Sequence, residues 1–270
     1  MPTIQTTDGV DLYVKDSGEG RPFLLIHGWP LNADMWDPIA DRLVGSGFRV
    51  IAYDRRGFGR SGKPETGYDY DTLSDDLAAV ISQMSLHDIT LVGFSMGGGE
   101  VARYMSRHGG KGVSHAELVS AVTPYLLKDE SNPDGVDGST FDGFISNLKQ
   151  DRPGFLESFG KQFYGAEEND IPADVLERSK DMAMMASLDA TIACVDSFGR
   201  TDFREDMQAF DLPTLVVHGT ADATVPFEIA GERAAAMIEG AELRAYEGAP
   251  HGLHYTHEDK LVRELIDFSR

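Results

Sequence analysis

A serine held between two glycines, Gly93-Phe94-Ser95-Met96-Gly97, constrains what this chain can fold into more than any other stretch. Ile89-Thr90-Leu91-Val92 before it is apolar and β-branched, and reads as a buried strand. Glu100-Val101-Ala102-Arg103-Tyr104-Met105 after it reads as a helix with its apolar side inward. A turn this tight between strand and helix leaves no room for bulky neighbours and pushes the serine hydroxyl clear of the backbone. The Met96 N–H then falls in the first helical turn, where it has no intrahelical partner and can face a developing negative charge. Taken alone, the pattern also suits a glycine-rich connection with a surface serine, so the rest of the chain must supply partners.

Strands and helices alternate around this turn. Residues 4–13 hold two short extended segments about Asp8-Gly9. Phe23-Leu24-Leu25-Ile26 is a continuous apolar run, as in a strand covered on both faces. It ends in His27-Gly28-Trp29-Pro30, where Gly28 permits a sharp turn and Pro30 restricts Trp29 to extended conformations. That segment is either a plain Gly-Pro turn or a loop that points the Trp29 N–H at the serine. A helix over 35–43 and a strand over 48–53 follow. Asp54-Arg55-Arg56-Gly57-Phe58-Gly59-Arg60-Ser61 sets three arginines beside glycines. It matches neither a P-loop nor a dinucleotide fingerprint, and reads as a structural turn whose arginines pair with carboxylates. Leu73, Leu77, Val80, Ile81 and Met84 recur at helical spacing within 71–86, and 116–122 reads as a strand stopped by Pro124.

The rhythm then changes. Between Tyr125 and Gln208 no strand is evident; helical stretches at 141–148, 154–163, 173–186 and 188–198 form a cap rich in Phe and Met. Strands resume at 214–218 and 242–246, separated by a helix opened by Pro226, and a helix over 258–268 closes the chain. The expected fold is α/β, a mostly parallel sheet covered by helices on both faces. The expected division is a core over 1–124 and 209–270 with a helical cap over 125–208.

Composition narrows the functions. The 270 residues and 41% hydrophobic content allow a sizeable core. Acidic residues number 45 against 24 basic, a formal charge of −21, which argues against nucleic acid or an anionic membrane as partner. The lone cysteine, Cys194, forms no intramolecular disulfide and sits in an apolar helical run as a small core residue. No leader-like N-terminus and no run of about 18 apolar residues is evident, so a cytoplasmic protein is expected.

Ser95, Asp222 and His251 each stand just past a strand, and so belong at one edge of the sheet. Serine, acid, histidine is the chain order of α/β-hydrolases. His251, His254 and His257 are close in sequence, but their spacing across Pro250 and Gly252 does not put three metal ligands on one face.

With these residues the chain resembles the α/β-hydrolase superfamily, and more narrowly the cofactor-free bacterial haloperoxidases and their esterase relatives, the perhydrolases. The resemblance rests on His27-Gly28-Trp29-Pro30, the run from Asp54 to Ser61, Gly93-Phe94-Ser95-Met96-Gly97-Gly98-Gly99-Glu100, Asn132-Pro133-Asp134-Gly135, Gly219-Thr220-Ala221-Asp222 and Gly248-Ala249-Pro250-His251-Gly252. It implies an α/β-hydrolase fold with a helical cap. It implies Ser95 as nucleophile, His251 as its base and Asp222 as the group that orients His251. It implies an oxyanion hole from the Trp29 and Met96 N–H groups, each worth about 10²–10³ in rate. The implied pocket walls are Trp29, Val122, Phe144, Phe159, Phe163 and Val225.

The implied reaction is cleavage of small carboxylic esters through an acyl-enzyme, with no cofactor and no metal. Hydrogen peroxide in place of water would give a peracid that oxidises halide in solution. Pro30, by restricting Trp29, would aim the Trp29 carbonyl at the peroxide. The same triad also serves lactone, lactam and C–C bond hydrolysis, and a binding protein that kept the fold without the chemistry is a further alternative. An epoxide or halide-ester chemistry would need a carboxylate where Ser95 stands. Oligomers are common among such relatives, and nothing in the sequence fixes their number here.

Overall fold

The computed structural model describes residues 3–270. Strands β1 (Thr3–Gln5) and β2 (Asp11–Ser17) form a hairpin about Asp8-Gly9. β3 (Pro22–Ile26) leads through a short 3-10 turn into α1 (Asp37–Gly45), then β4 (Arg49–Tyr53) and α2 (Tyr70–Gln83). β5 (Ile89–Phe94), α3 (Met96–His108) and β6 (Val113–Val119) follow. Three helices come next: α4 (Gly138–Phe163), α5 (Ala173–Met184) and α6 (Leu188–Arg200). The chain ends with β7 (Thr214–Gly219), α7 (Gly231–Met237), β8 (Glu242–Tyr246), α8 (Leu253–Thr256) and α9 (Glu258–Phe268).

The eight strands make one sheet in the order β1-β2-β4-β3-β5-β6-β7-β8. β2 runs antiparallel to both neighbours, and every pairing from β4 to β8 is parallel. Every residue of β3, β5 and β7 is buried, which requires cover on both faces and explains their unbroken apolar sequences. α2 packs on α3, and α1 on α9. The chain moves from β3 out to β4 and then back to β5 on the other side of β3. This reversal is a switch point, where loops at the carboxyl ends of adjacent strands diverge and leave a crevice. The loop after β3 and Ser95 after β5 both stand at it.

The insertion between β6 and β7 carries α4, α5 and α6. The separate helices expected at 141–148 and 154–163 are the two halves of α4, which bends at Asp151 (φ −151°, ψ 78°) just before Pro153. Proline lacks an N–H and crowds the preceding turn, so the first half ends there. Asp151 then caps the second half, accepting from the Gly154 N–H at 3.0 Å.

Some expected boundaries move. β6 ends at Val119 rather than at 122, because Ser120 takes a positive φ of 45° that breaks the extended run. The helix expected from Pro226 begins only at Gly231; residues 227–230 form overlapping turns onto Pro226 and Phe227 before regular helix starts. Among the described residues no helix is long and apolar enough to cross a membrane. The arginine-rich turn after β4 is structural, as expected: Arg56 pairs with Asp76 and Asp8, and Arg60 with Asp54 and Asp34. Cys194 is fully buried.

Candidate active site

The turn between β5 and α3 is built by what its glycines exclude. A Cβ on Gly93 would lie 2.5 Å from the Gly97 carbonyl oxygen, and one on Gly97 would lie 2.7 Å from that of Ile26. Between them Ser95 takes φ 54°, ψ −118°, a conformation costly for a residue with a side chain. Its surroundings hold it there. The Ser95 N–H donates to the Val119 carbonyl at 2.9 Å, and its carbonyl accepts from Gly98 at 2.9 Å and Val122 at 3.2 Å. The elbow is thus tied to the end of β6.

His251 follows β8 and Asp222 follows β7. The structure brings both to Ser95. His251 Nε2 lies 2.9 Å from Ser95 Oγ, and His251 Nδ1 lies 2.6 Å from Asp222 Oδ2. All three are at most 5% exposed. A carboxylate on Nδ1 selects the tautomer that leaves Nε2 free to take a proton from the hydroxyl. Phe94 and Phe163 pack on the imidazole with ring centroids 5.1 and 4.9 Å away.

Asp222 is held as an anion. Its Oδ1 accepts from the Thr224 and Val225 N–H groups at 2.9 and 2.8 Å. Burial pushes its carboxyl up, but the His251 and His218 imidazoles outweigh burial and leave it well below the usual carboxylate range. His218, the last side chain before Gly219 in β7, carried no functional expectation from sequence. Its Nε2 sits 2.8 Å from the Val225 carbonyl and 3.3 Å from Asp222 Oδ2. A carbonyl acceptor requires the proton on Nε2, so His218 faces Asp222 as a donor. Its place inside an apolar strand made it look like a core residue.

The Met96 N–H, at the start of α3, and the Trp29 N–H, in the loop after β3, have no acceptor within the described residues. The Trp29 side chain pins its loop to the cap: the indole N–H donates to the Thr191 carbonyl at 3.0 Å, and the ring meets Phe159 edge-on at 5.1 Å.

A narrow cavity reaches Ser95 from beneath the cap. Trp29, Val122, Phe144, Phe159 and Val225 line it. Phe163 does not. It stands behind the His251 ring, 2% exposed, with its carbonyl accepting from Gly252 N–H at 2.7 Å, so it braces the histidine loop instead of facing the cavity. Leu126, Val136, Phe141 and Phe198 complete the apolar wall, and Thr140 and Thr224 bring hydroxyls to it. Phe141 and Phe198 lie on amphipathic cap helices, and which of their faces turns to Ser95 depends on how the cap docks. His254 and His257 point elsewhere: His254 packs among Phe94, Phe163 and Tyr164, and His257 lies against Tyr246. Among the described residues no group of three or more His, Cys, Asp or Glu side chains is placed to share a metal ion.

A mostly parallel sheet with a switch-point crevice, a strand–Ser–helix elbow and a helical insertion over it defines the α/β class of hydrolases. The chain belongs to the α/β hydrolase fold family, whose model matches residues 21–258. It is 43% identical to a non-heme chloroperoxidase of Kitasatospora aureofaciens, over 99% of each chain. It is 37% identical to a bifunctional esterase/perhydrolase of Acinetobacter calcoaceticus, over 100% of each. A crystal structure of a bromoperoxidase from Bacillus anthracis superposes with a TM-score of 0.96 at 41% identity, covering 99% of this chain and 98% of that one.

Proposed function

We propose that this protein is a serine hydrolase of small carboxylic esters that also acts as a perhydrolase. The observation that carries the reading is the continuous chain from Ser95 Oγ through His251 to Asp222, at 2.9 and 2.6 Å, at the floor of an apolar cavity. Ser95 Oγ attacks the ester carbonyl while His251 Nε2 takes its proton. The carbonyl oxygen gains negative charge where the Trp29 and Met96 N–H groups can both donate to it. The C–O bond to the alcohol breaks, and the alcohol leaves with the proton held on His251. Water then gives His251 a proton and attacks the acyl carbon, Ser95 is released, and a carboxylic acid departs. Asp222 stabilises the imidazolium that forms in each half-reaction.

When hydrogen peroxide replaces water, the acyl group leaves as a peracid. In solution the peracid transfers one oxygen to bromide or chloride, giving hypohalite and the carboxylic acid. The printed names of the relatives, haloperoxidase on one side and esterase/perhydrolase on the other, support one acyl-enzyme serving both outcomes. Pro30 restricts Trp29 and thereby sets the direction of the Trp29 carbonyl, a candidate acceptor for the peroxide hydrogen.

The test is labelling with a fluorophosphonate, followed by turnover of aryl and alkyl esters of graded acyl length with and without peroxide. Stoichiometric labelling at Ser95, ester turnover, and peracid formed at the expense of the acid are expected. An unlabelled serine in a protein that turns over none of the esters would overturn the assignment.

A further inference from the structure

A second cavity lies between α1, α5 and α8 and shares no lining residue with the one that reaches Ser95. Its volume is about 410 Å³, within the range of small-molecule sites. Met35, Ile39, Val175, Met182 and Met185 give it an apolar wall of adaptable side chains.

One wall residue is polar and unsatisfied. His254 is 6% exposed, and neither ring nitrogen has a hydrogen-bond partner among the described residues. Its Nδ1 is sealed off, and Nε2 keeps the remaining access. A sealed N–H without an acceptor is a rarer and costlier arrangement than a sealed lone pair, so the proton belongs on Nε2. Burial, with a smaller push from His251, lowers His254 to about 3, so the ring is neutral at physiological pH. On its apolar wall the cavity therefore meets the neutral His254 N–H beside hydrocarbon and thioether.

The charges around it select against an anion. Asp34, Asp37, Asp181 and Glu258 line the cavity against the single cation Arg178. Asp34 and Asp37 are paired with Lys15, Glu258 with Arg42 and Arg178 with Asp174, while Asp181 has no ion pair among the described residues. A hydroxyl is the neutral group that can accept from His254 and donate to a carboxylate at once.

We propose that this cavity is a second small-molecule site, for a neutral alcohol or phenol whose apolar body lies against the methionines and whose oxygen accepts from His254 Nε2. The Phe94 and Phe163 rings stand between it and the ester site, each touching both His254 and His251. The site is independent of the ester chemistry assigned to Ser95.

The cavity's methionines give a direct test. The full-length protein, labelled with ¹³C at its methionine methyls, is titrated with 2-naphthol and followed by NMR. Saturable shifts are expected for Met35, Met182 and Met185, with Met96 at the elbow and Met105 in the core unmoved. His254→Leu should weaken binding about tenfold, the loss of one donated hydrogen bond, and 2-naphthoate should bind at least tenfold more weakly than 2-naphthol. The proposal is overturned if the three methyls do not move at millimolar 2-naphthol, if Met96 moves in their place, if His254→Leu binds as tightly, or if the naphthoate does.

Discussion

Arg55 and Glu100 form an ion pair closed off from solvent, and it ties the loop that carries Trp29 to the helix that follows Ser95. Arg55 Nη2 donates to the His27 carbonyl at 2.7 Å, and the Arg55 N–H donates to His27 Nε2 at 2.9 Å. Glu100 accepts from Arg55 and from the Tyr53 hydroxyl, the latter at 2.6 Å. Removing one partner strands the other charge in the core. Glu100→Leu should cost about 3–5 kcal/mol in urea unfolding. Arg55→Met with Glu100→Leu should recover part of that loss, since no unpaired charge then remains. Equal stability of the single and double variants would show that the pair is not what holds this loop.

The proposed roles of Ser95, His251 and Asp222 set two expected kinetic outcomes. Ser95→Ala should remove nearly all ester hydrolysis, leaving a residual about 10³–10⁴ above the uncatalysed rate from binding and the oxyanion donors. Asp222→Asn should lower kcat about 10⁴-fold, because an amide can present its NH₂ to Nδ1 and favour the wrong imidazole tautomer. Both variants should retain wild-type KM within a fewfold if the cavity stays intact, and steady-state kinetics on a phenyl ester reads all of these values.

His218 supplies a subtler effect. Its Nε2–H is shared between the Val225 carbonyl and Asp222 Oδ2. His218→Leu removes a donor that favours the Asp222 anion, so the carboxyl should rise towards its ordinary range. The carboxylate then stabilises the His251 imidazolium less, and kcat should fall about tenfold with KM nearly unchanged. A purely structural role would instead lower the folded fraction without altering kcat per labelled active site.

The sequence carried the elbow, the three strand ends and the acid–histidine order in local form. Each is a short motif whose residue types follow from one turn or one strand. The arginines after β4 were legible for the same reason: side chains so strongly charged beside glycines need carboxylates wherever they are buried. What was not legible depended on contacts between distant segments. Phe163 and Phe159 sit four residues apart on one helix, yet one braces His251 and the other faces the cavity, and only the docking of the bent α4 decides which. His218 ends an apolar strand and His254 stands among other histidines and tyrosine, and neither gave a local sign that one would meet Asp222 and the other a separate cavity. The early end of β6 at Ser120 is set by pairing with Val217 and the elbow, not by the apolar run that continues past it.

Glu117 in β6 is the clearest conflict between a residue and its surroundings. It is fully buried, and neither carboxyl oxygen has a hydrogen-bond partner among the described residues. Its strand neighbours are Val92 and Leu215. Burial, with a further push from the Glu264 carboxylate, raises its carboxyl well above the usual range, so the fold favours its protonated form. The folded chain then binds a proton that the unfolded chain releases above its ordinary value of 4.5. Stability from this group is therefore greatest in acid and falls as pH rises through that value towards the raised one. Glu117→Met, similar in length and apolar, should stabilise the protein at pH 7 by about 1–3 kcal/mol, the penalty of an unpaired buried polar group. The advantage over the parent chain should shrink as the pH is lowered to 4.5, where both forms of the chain begin to hold the proton. Urea unfolding at a series of pH values between those limits measures it. A difference that stays constant across the series would show that Glu117 is not protonated in the fold.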